Sequence, residues 1–509
     1  MSTTLIAKEQ GKIGNFIREL RELRGLTQED FAELIGTSQS AVARMEKGEQ
    51  NFTTEILTRV SKALNHKIVS LAEGSIDFEI EGGRKLSGEI TTNASKNGAM
   101  GLLCASLLNK GTTTLHNIPR IEEVNRMLEV LTSIGVQIKW TAKNTLEITP
   151  PAKLALDKIN TNAAIKTRSV IMLMGPLIHL FNKFSLPHAS GCKLGKRTVS
   201  AHLFGLEEMG VKIKVTRDSY DVSINKLRGT TLVMYEAGDT AAENLIIAAA
   251  KIPGKTVIKF APANYMVQET CRFLQTLGVK VEGVGTSTVT IEGIKEIDQD
   301  VEYWNSEDPI EAMMFLSAAI TTGSHLMIKR CPIDFLELEL YKLKKMGLKF
   351  KRSKEYFSQN GFTKLVDLEV LPSTLQAAEE KIHAQPYPGI NQDNLPFFVP
   401  IAAQAKGTTL IHDWTFENRA IYFMELAKLG AQMILADPHR VFIEGPTPFK
   451  PTQLVCPPAL RPAMIILIAM LAAPGKSILR NVYSINRGYE EIAERLNKLG
   501  AKIRVIREM

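Results

Sequence analysis

The chain has 509 residues, 44% of them hydrophobic and 23% charged, with a formal net charge of +8, which is typical of a globular protein of about three domains. Its longest apolar run, Ala463–Pro474, is too short to span a membrane, and no basic-then-apolar leader opens the chain. The five cysteines are far apart and the nine histidines form no HxxxH pattern, so neither a disulfide framework nor a cysteine-rich zinc site is indicated, and we expect a cytoplasmic protein without metal or cofactor.

Residues 1–74 predict a small all-helical module. Thr27, with Asp30 at the capping-box position, and Ser38 are residues that begin helices, and glycines follow at the positions where helices end. Together with the spacing of apolar residues, they predict four helices: Ile13–Leu23, Gln28–Ile35, Gln39–Lys47 and Thr54–Leu64. Two short helices joined by a tight glycine-containing turn indicate a helix-turn-helix.

The text LTQEDFAELIGTSQSAVARMEKGEQ resembles the lambda-repressor-like (Cro/XRE) family, over about residues 11–71. The resemblance implies that Gln28 opens the supporting helix and that Gln39, Ser40 and Arg44 face the major groove of DNA. Residues 1–74 contain ten Lys and Arg and ten Asp and Glu, so their attraction to phosphates is weak. A solvated helix face, in a module for protein contact or dimerisation, is therefore the alternative.

From Phe78 onward one pattern occurs six times: an amphipathic helix, a glycine, and a strand. Five of the units carry a second signal upstream, in which a small-residue helix is followed by a glycine and a strand, as in IPGKTVIKF. Units of about 70 residues are too large for common solenoid repeats and indicate two lobes of three units each. The six glycines, which are 75, 68, 69, 83 and 70 residues apart, are Gly135, Gly210, Gly278, Gly347, Gly430 and Gly500.

A glycine-rich loop, SLPHASGCKLGKRTVSAH, surrounds one cysteine with cations. Cys192 has Lys193, Lys196 and Arg197 within five residues. Cations lower the pKa of a thiol and bind anions, whereas glycines allow the backbone to approach a ligand closely. A flexible surface loop with an incidental cysteine would show the same local pattern.

The repeat and the cysteine loop, read together, resemble the enolpyruvyl transferases, and most closely the branch that acts on UDP-N-acetylglucosamine. The resemblance runs from about Ile76 to Arg507, through the motifs TTNASKNGAM, KTRSVIMLMGP, GCKLGKR, FENR and INRGYEEI. It implies an α/β fold, a two-lobed inside-out barrel of six βαβαββ-like repeats whose chain crosses between the lobes twice. The implied domains are the helix-turn-helix domain, 1–74, and the transferase domain, 76–509, in which lobe A is 76–95 plus 307–509 and lobe B is 96–306.

The resemblance also implies roles for particular residues. Addition of a hydroxyl across the double bond of phosphoenolpyruvate needs an acid for the methylene carbon and a base for the hydroxyl. Cys192 matches the family's acid, Asp393 its base, and Lys96 is a third catalytic residue. A donor with a carboxylate and a phosphate needs several cations. The implied substrate-binding residues are Asn97, Arg168, Arg197, His202, Arg419, Arg461 and Arg487.

The departures from the family pattern lie mainly on the acceptor side. The family has the sequence RPVDLH where this chain has RTVSAH, so Ser200 replaces an aspartate that binds uracil in the family. The family stretch SVGATENL appears here as GDTAAENL, over 238–245, and the FPTD context of the base appears as INQD, ending at Asp393. Two residues are added before Cys192, and Ala459 replaces an aspartate. Enolpyruvyl transfer is therefore better defined than the acceptor.

We expect transfer of the enolpyruvyl group of phosphoenolpyruvate to a hydroxyl of UDP-N-acetylglucosamine or a related nucleotide sugar, the first committed step of peptidoglycan precursor synthesis. We also expect the N-terminal domain to bind DNA, and we expect no membrane partner. A homodimer is left open. Two alternatives stay open. A shikimate-type enolpyruvyl transferase shares the fold and donor, but the loop cysteine, FENR and RGYE argue against it. A transcriptional regulator with an enzyme-like sensor domain would not need the acid Cys192.

Overall fold

The computed structural model describes residues 2–49, 52–64, 76–188 and 199–507. Its N-terminal module has four helices around a small core that includes Ile17, Phe31, Val42, Met45 and Val60. Thr27 and Asp30 form the predicted capping box, and the chain turns at Gly36 in the left-handed conformation. The helices are Ser2–Leu23, Gln28–Ile35, Gln39–Lys47 and Thr54–Ala63, so that the first begins earlier than predicted and the others match.

The predicted repeat is confirmed by six units, each of which ends a helix at a glycine and continues into a strand. All six glycines have φ between 83° and 103°, a conformation that suits glycine because it has no Cβ. The helices before them are Glu122–Ser133, Ser200–Glu208, Tyr265–Thr276, Glu337–Lys345, the 3₁₀ helix Ala420–Leu429, and Ile492–Lys498.

Three sheets in the first half of the larger domain use only strands from the predicted lobe B. In strand order they are Val301–Trp304, Thr113–His116, Thr145–Thr149 and Gln137–Ala142; Lys280–Glu282, Thr288–Gly293, Gly254–Lys259 and Thr231–Val233; and Lys183–Pro187, Ser219–Ile224 and Val211–Val215. In the first two sheets an edge strand runs parallel to its neighbour and the other pairings are antiparallel. The three-stranded sheet has no parallel strand among the described residues, and it belongs to the unit that carries the cysteine loop.

Of three further sheets, two combine strands from both ends of the larger domain and the third uses only residues 382–445. Ile76–Gly82 lies between C-terminal strands, and Glu89–Thr91 pairs in parallel with Leu326–Pro332. The sheets are Gln453–Val455, Gly475–Arg480, Ile76–Gly82 and Ile503–Arg507; Lys349–Arg352, Lys364–Leu371 (also paired with Tyr356–Phe357), Leu326–Pro332 and Glu89–Thr91; and Ile382–His383, Gly407–His412, Arg440–Gly445 and Gln432–Asp437.

Apolar helices fill the inside of each lobe, with the sheets around them. Pro309–Thr321 and Leu460–Ala472 are buried over almost their whole length, as expected of helices that are apolar on all sides. The other inner helices are Lys96–Ala105, Met174–Leu177, Asp239–Ala249 and Phe398–Ala402. Short helices at Thr161–Ala164 and Tyr483–Asn486 and 3₁₀ turns at Ser106–Leu108, Leu156–Lys158, Arg168–Leu173, Ile333–Phe335 and Leu395–Phe397 complete the chain.

The chain passes between the lobes at two places that run side by side. Ala94 and Glu307 form an antiparallel bridge, and the backbone N–H of Ser95 donates to the carbonyl oxygen of Ser306 at 2.7 Å. Ser95 also caps the next helix, because its hydroxyl oxygen accepts from the backbone N–H of Gly98. The paired crossings therefore fix where Lys96, the first residue of that helix, enters the space between the lobes.

Candidate active site between the lobes

A cavity of about 760 Å³ opens between the two sets of sheets and is lined by residues from both. The predicted site residues in its wall come from sequence positions almost 400 apart, which only the interlobe fold brings together. They are Lys96, Asn97 and Arg168 on one side and Asp393, Arg419, Arg461 and Arg487 on the other.

Lys96 and Asn97 begin the helix Lys96–Ala105 and each has one defined partner. The Nζ of Lys96 donates to Oε2 of Glu123 at 2.9 Å, and Nδ2 of Asn97 donates to the hydroxyl oxygen of Tyr265 at 2.9 Å. Burial acts to raise the pKa of Glu123, but the charges of Lys96 and Arg487 outweigh it and lower that pKa. Glu123 therefore stays ionised and holds the Lys96 ammonium at the cavity wall.

Asp393 lies between two arginines. Its Oδ2 accepts from NH2 of Arg461 at 3.2 Å, and its Oδ1 is 3.7 Å from NH1 of Arg419. The backbone N–H of Asp393 donates to Oδ1 of Asn391 at 2.8 Å, which fixes the turn that carries it. Two nearby guanidinium groups favour the ionised carboxylate.

Arg419 is buried to 1% exposure and is held in place from several sides. Its Nε and NH2 donate to both oxygens of Asp413, at 2.5 and 2.9 Å, and NH2 also donates to the carbonyl oxygen of Gln392 at 2.7 Å. Its guanidinium lies over the Phe416 ring, 3.8 Å from the centroid. This bidentate pair presents the remaining NH1 edge toward Asp393 and the cavity.

Arg461 and Arg487 approach from the last third of the chain. NH1 of Arg461 donates to the hydroxyl oxygen of Tyr489 at 2.7 Å. Burial acts to lower the pKa of Arg461, but Tyr489 and Asp393 outweigh it and raise that pKa, so the residue stays charged. The Nε of Arg487 is buried and has no acceptor among the described residues, although its guanidinium lines the cavity. A bound anion would supply that acceptor.

The stretch 238–245, where the sequence departs from the family, forms the opposite part of the wall. Oδ2 of Asp239 accepts from Nδ2 of Asn264 at 3.0 Å. Burial, with a smaller contribution from Asp393, raises the pKa of Asp239 to about 6. Burial and then the charge of Asp239 raise the pKa of Glu243 well above its usual value. This part of the wall therefore carries buried carboxyl groups, whereas Lys96, Arg419, Arg461 and Arg487 line other parts of the cavity.

His202 lies under this wall and is not among the residues that line the cavity. Its Nδ1 accepts from Nδ2 of Asn244 at 3.1 Å, and its Nε2 lies 3.4 Å from the hydroxyl oxygen of Thr240. Burial, with help from the Arg168 charge, lowers the pKa of His202 to about 3, so the ring is neutral. Its neighbour Thr240 does line the cavity, and substrate binding by His202 stays a prediction.

Cys192 and Arg197 lie outside the described residues, which end at His188 and resume at Val199. The four cysteines that are described are all buried free thiols. Burial raises the pKa of each of them, to about 12 for Cys271 and Cys456. None of these four is therefore a reactive thiolate at neutral pH.

In the helix-turn-helix module, Gln39 and Gln28 are joined directly. Nε2 of Gln39 donates to Oε1 of Gln28 at 2.7 Å, and Nε2 of Gln28 donates to Oε2 of Glu46 at 2.8 Å. Glu46 is itself held by buried Arg21. The predicted contact residues Gln39, Ser40 and Arg44 are exposed on the helix Gln39–Lys47, and Gln28 is half-buried at the start of the preceding helix.

Several residues that shape the cavity were missed by sequence reasoning. Glu123, Tyr265 and Asp413 lie in no quoted motif, and Tyr489 lies in INRGYEEI without having been singled out. Only the fold reveals these residues as partners of Lys96, Asn97, Arg419 and Arg461. Asn391 had a signal, since it stands in the altered context of Asp393. Within the described ranges, no group of three or more His, Cys, Asp or Glu side chains has a geometry that could hold a metal ion. Nor is any helix of those ranges long and apolar enough to cross a bilayer.

Two lobes of three sheets each, with apolar helices inside and a cation-lined cavity between them, define the class of enolpyruvyl transferases. The chain belongs to the EPSP synthase (3-phosphoshikimate 1-carboxyvinyltransferase) family, which matches residues 80–496, and a helix-turn-helix family matches residues 17–69.

Curated relatives within this class are UDP-N-acetylglucosamine 1-carboxyvinyltransferases. That of Bradyrhizobium diazoefficiens is 32% identical over 85% of this chain and 99% of its own length, and that of Treponema denticola is 34% identical over 84% and 98%. The enolpyruvyl transferase NikO from Streptomyces tendae has the same fold, with a TM-score of 0.74 at 23% identity over 86% of this chain and all of its own. EPSP synthase from Acinetobacter baumannii has a TM-score of 0.68 at 18% sequence identity, over 85% of this chain and all of its own. About 15% of this chain lies outside each of these alignments.

Proposed function

We propose that this protein transfers the enolpyruvyl group of phosphoenolpyruvate to a hydroxyl of UDP-N-acetylglucosamine or a related nucleotide sugar and releases phosphate. The observation that carries the proposal is an interlobe cavity lined by Lys96, Arg419, Arg461 and Arg487, in which the carboxylate of Asp393 faces Arg461 and Arg419. Curated relatives with the named activity align over about 85% of the chain, which supports the same reaction here.

Phosphoenolpyruvate fits the cationic part of the cavity. Its phosphate and carboxylate together need several donors, and arginine supplies them in a fixed, bidentate geometry. The buried Nε of Arg487 would gain an acceptor that none of the described residues gives it. The Lys96 ammonium, held by Glu123 at 2.9 Å, is a further charge that the phosphate can approach.

The proposed reaction is an addition followed by an elimination. Asp393 accepts the proton of the acceptor hydroxyl while that oxygen bonds to C2 of phosphoenolpyruvate, and Cys192 gives a proton to C3. Loss of a proton from the new methyl group restores the double bond as the C–O bond to phosphate breaks. The products are the enolpyruvyl ether and inorganic phosphate, and no cofactor is consumed.

The acceptor is proposed less narrowly, because the residues that would hold a uridine nucleotide differ. Ser200 replaces a family aspartate, which removes one charge-assisted hydrogen bond, on the order of 1–3 kcal/mol. We therefore expect UDP-N-acetylglucosamine to bind more weakly than it does in family members that keep the aspartate, or a related nucleotide sugar to be preferred.

A phosphate-release assay tests the function. Purified full-length protein with phosphoenolpyruvate should release phosphate when UDP-N-acetylglucosamine or another UDP-sugar is added, and Cys192→Ala should lower the rate at least a hundredfold. Release with shikimate 3-phosphate alone would identify the shikimate-type alternative. Nucleotide-sugar binding without phosphate release in any combination would favour a sensor domain.

For the N-terminal domain, placed at residues 1–74, we propose DNA binding as a dimer. One short recognition helix buries too little surface for specific affinity, and the balanced charge of the module adds little attraction to phosphates. Selection from a random DNA pool should enrich a palindromic site, and Gln39→Ala and Arg44→Ala should abolish the enrichment. A monomer that enriches no sequence would make the module a protein-contact domain. We also propose that the protein acts in the cytoplasm, where phosphoenolpyruvate and nucleotide sugars are made.

A further inference from the structure

A chain of side-chain amides connects the two lobes and ends at the backbone of Asp393. Nδ2 of Asn264 donates to Oδ2 of Asp239 at 3.0 Å, and Nδ2 of Asn391 donates to Oδ1 of Asn264 at 3.2 Å. Oδ1 of Asn391 accepts from the backbone N–H of Asp393 at 2.8 Å. Asp239 and Asn264 belong to lobe B and the other two residues to lobe A. These four residues form what we name the interlobe amide chain.

Each amide in the chain has only one workable orientation. Oδ1 of Asn264 also accepts from the backbone N–H of Tyr265 at 2.9 Å and so caps the helix Tyr265–Thr276. If Asn264 were flipped, its carbonyl oxygen would face the Asp239 carboxylate and its NH₂ would face two donors. On the other lobe, the backbone N–H of Asn391 donates to Oε1 of Glu339 at 3.2 Å, which holds Asn391 at the cavity edge.

Asn391 therefore links two functions in a single side chain. Its carbonyl oxygen closes an Asx turn on Asp393, and its NH₂ reaches the other lobe. The carboxylate at the far side of that turn is held by Arg461 at 3.2 Å. A displacement of one lobe relative to the other would pull on the same amide that sets the backbone of Asp393.

Two members of the interlobe amide chain, Asp239 and Asn391, are departures from the family pattern. Asp239 stands where SVGATENL has valine, and Asn391 stands where FPTD has proline. Valine has no acceptor in its side chain, and proline offers neither an amide side chain nor a backbone N–H. A protein with the family residues at both positions cannot form this connection. The two replacements therefore contribute to the same interlobe link.

We propose that Asn264 and Asn391 are positioning residues that couple the approach of the two lobes to the placement of Asp393. The proposal rests on the proposed function, in which Asp393 takes the proton of the acceptor hydroxyl. Asp239 anchors the lobe B end, so a side chain that keeps an acceptor there, such as asparagine, maintains the connection.

The test uses serine variants of the full-length protein. Asn264→Ser keeps a good helix cap and Asn391→Ser keeps a residue able to form the same turn, but neither side chain reaches across the lobes. Each single variant should lower kcat about tenfold with the KM for phosphoenolpyruvate changed less than about threefold, and should move the acidic limb of the kcat–pH profile. The double variant should be no slower than the slower single variant, because both remove one connection. Asp239→Asn keeps an oxygen that can accept from Nδ2 of Asn264, so its radius of gyration should equal that of the wild type.

A second readout does not need turnover. Small-angle scattering should give a larger radius of gyration for each single variant than for the wild type, and the exposed-site control Asn225→Ser should change neither readout. If the wild type releases no phosphate but the single variants expand, the connection stands and the proposed function fails. If the wild type turns over and the losses in the double variant multiply, or the pH profile and the radius stay unchanged, the inference is overturned.

Discussion

Glu269 is a carboxylic acid buried beside the interlobe crossings, and its replacement by glutamine tests the electrostatics at that point. Glu269 is 3% exposed, and its Oε1 accepts from the backbone N–H of Ser306 at 3.3 Å. Burial raises the pKa of Glu269 from its ordinary 4.5 to about 8, against hydrogen bonds from Tyr303 and Asn360 that lower it. Glutamine keeps an oxygen for Ser306 and has no proton to lose.

The magnitude follows from proton linkage. Between pH 4.5 and 8 the folded protein holds a proton that the unfolded chain releases, so this group's contribution to the free energy of unfolding is present below pH 4.5 and is lost as pH rises. The loss is at most about 1.4 kcal/mol per pH unit, or about 5 kcal/mol in full, and hydration of the ionised acid reduces it to about 2–3 kcal/mol. We expect Glu269→Gln to be about 2 kcal/mol more stable than the wild type at pH 8 and within about 1 kcal/mol of it at pH 5.

Urea unfolding of both proteins at pH 5 and pH 8 measures this difference. The exposed-site control Glu208→Gln should change the free energy of unfolding by less than about 0.5 kcal/mol at either pH. A Glu269→Gln variant whose advantage is the same at both pH values, or that is less stable than the wild type at pH 8, would refute the reasoning.

Three further predictions concern the site and the domains. An epoxide of the fosfomycin type should alkylate Cys192 and leave the four buried cysteines unmodified by intact-mass and peptide analysis, and Cys192→Asp should keep measurable activity whereas Cys192→Ala should not. Arg419→Lys should lower the free energy of unfolding by about 3 kcal/mol, because it leaves the fully buried Asp413 without its bidentate partner. Urea unfolding measures this loss, and the double variant Arg419→Met/Asp413→Asn, which removes both charges, should lose less. Removal of residues 1–74 should leave phosphate release within about threefold, because the curated relatives align over nearly their full length without that module, and a loss of turnover in folded protein would contradict it.

The repeat could be predicted from sequence because each unit carries its own local signal. A glycine that ends an amphipathic helix needs a positive φ, and all six predicted glycines have it. The capping box at Thr27 and Asp30 is equally local, and it too is confirmed. The first helix was predicted too short, because residues before Ile13 have no clear apolar period.

The site was less predictable because its partners are set by packing between distant segments. Glu123 and Lys96 are 27 residues apart and Arg461 and Asp393 are 68 apart, and no spacing rule links either pair. The motif indicated that His202 is a site residue but could not show that its ring contacts Asn244 and Thr240. Asp239 and Asn391 look like isolated departures in the sequence and become meaningful only when Asn264 is seen between them.

The most direct test of the central claim is the identity of the product. Full-length protein incubated with phosphoenolpyruvate and UDP-N-acetylglucosamine, or a panel of related UDP-sugars, should give a nucleotide sugar heavier by one enolpyruvyl group, with one inorganic phosphate for each molecule formed, by mass spectrometry and a phosphate assay. Asp393→Asn should form neither product, because the hydroxyl proton has no base to accept it. Unchanged acceptors with every UDP-sugar in the panel, in protein that binds phosphoenolpyruvate, would contradict the proposed function.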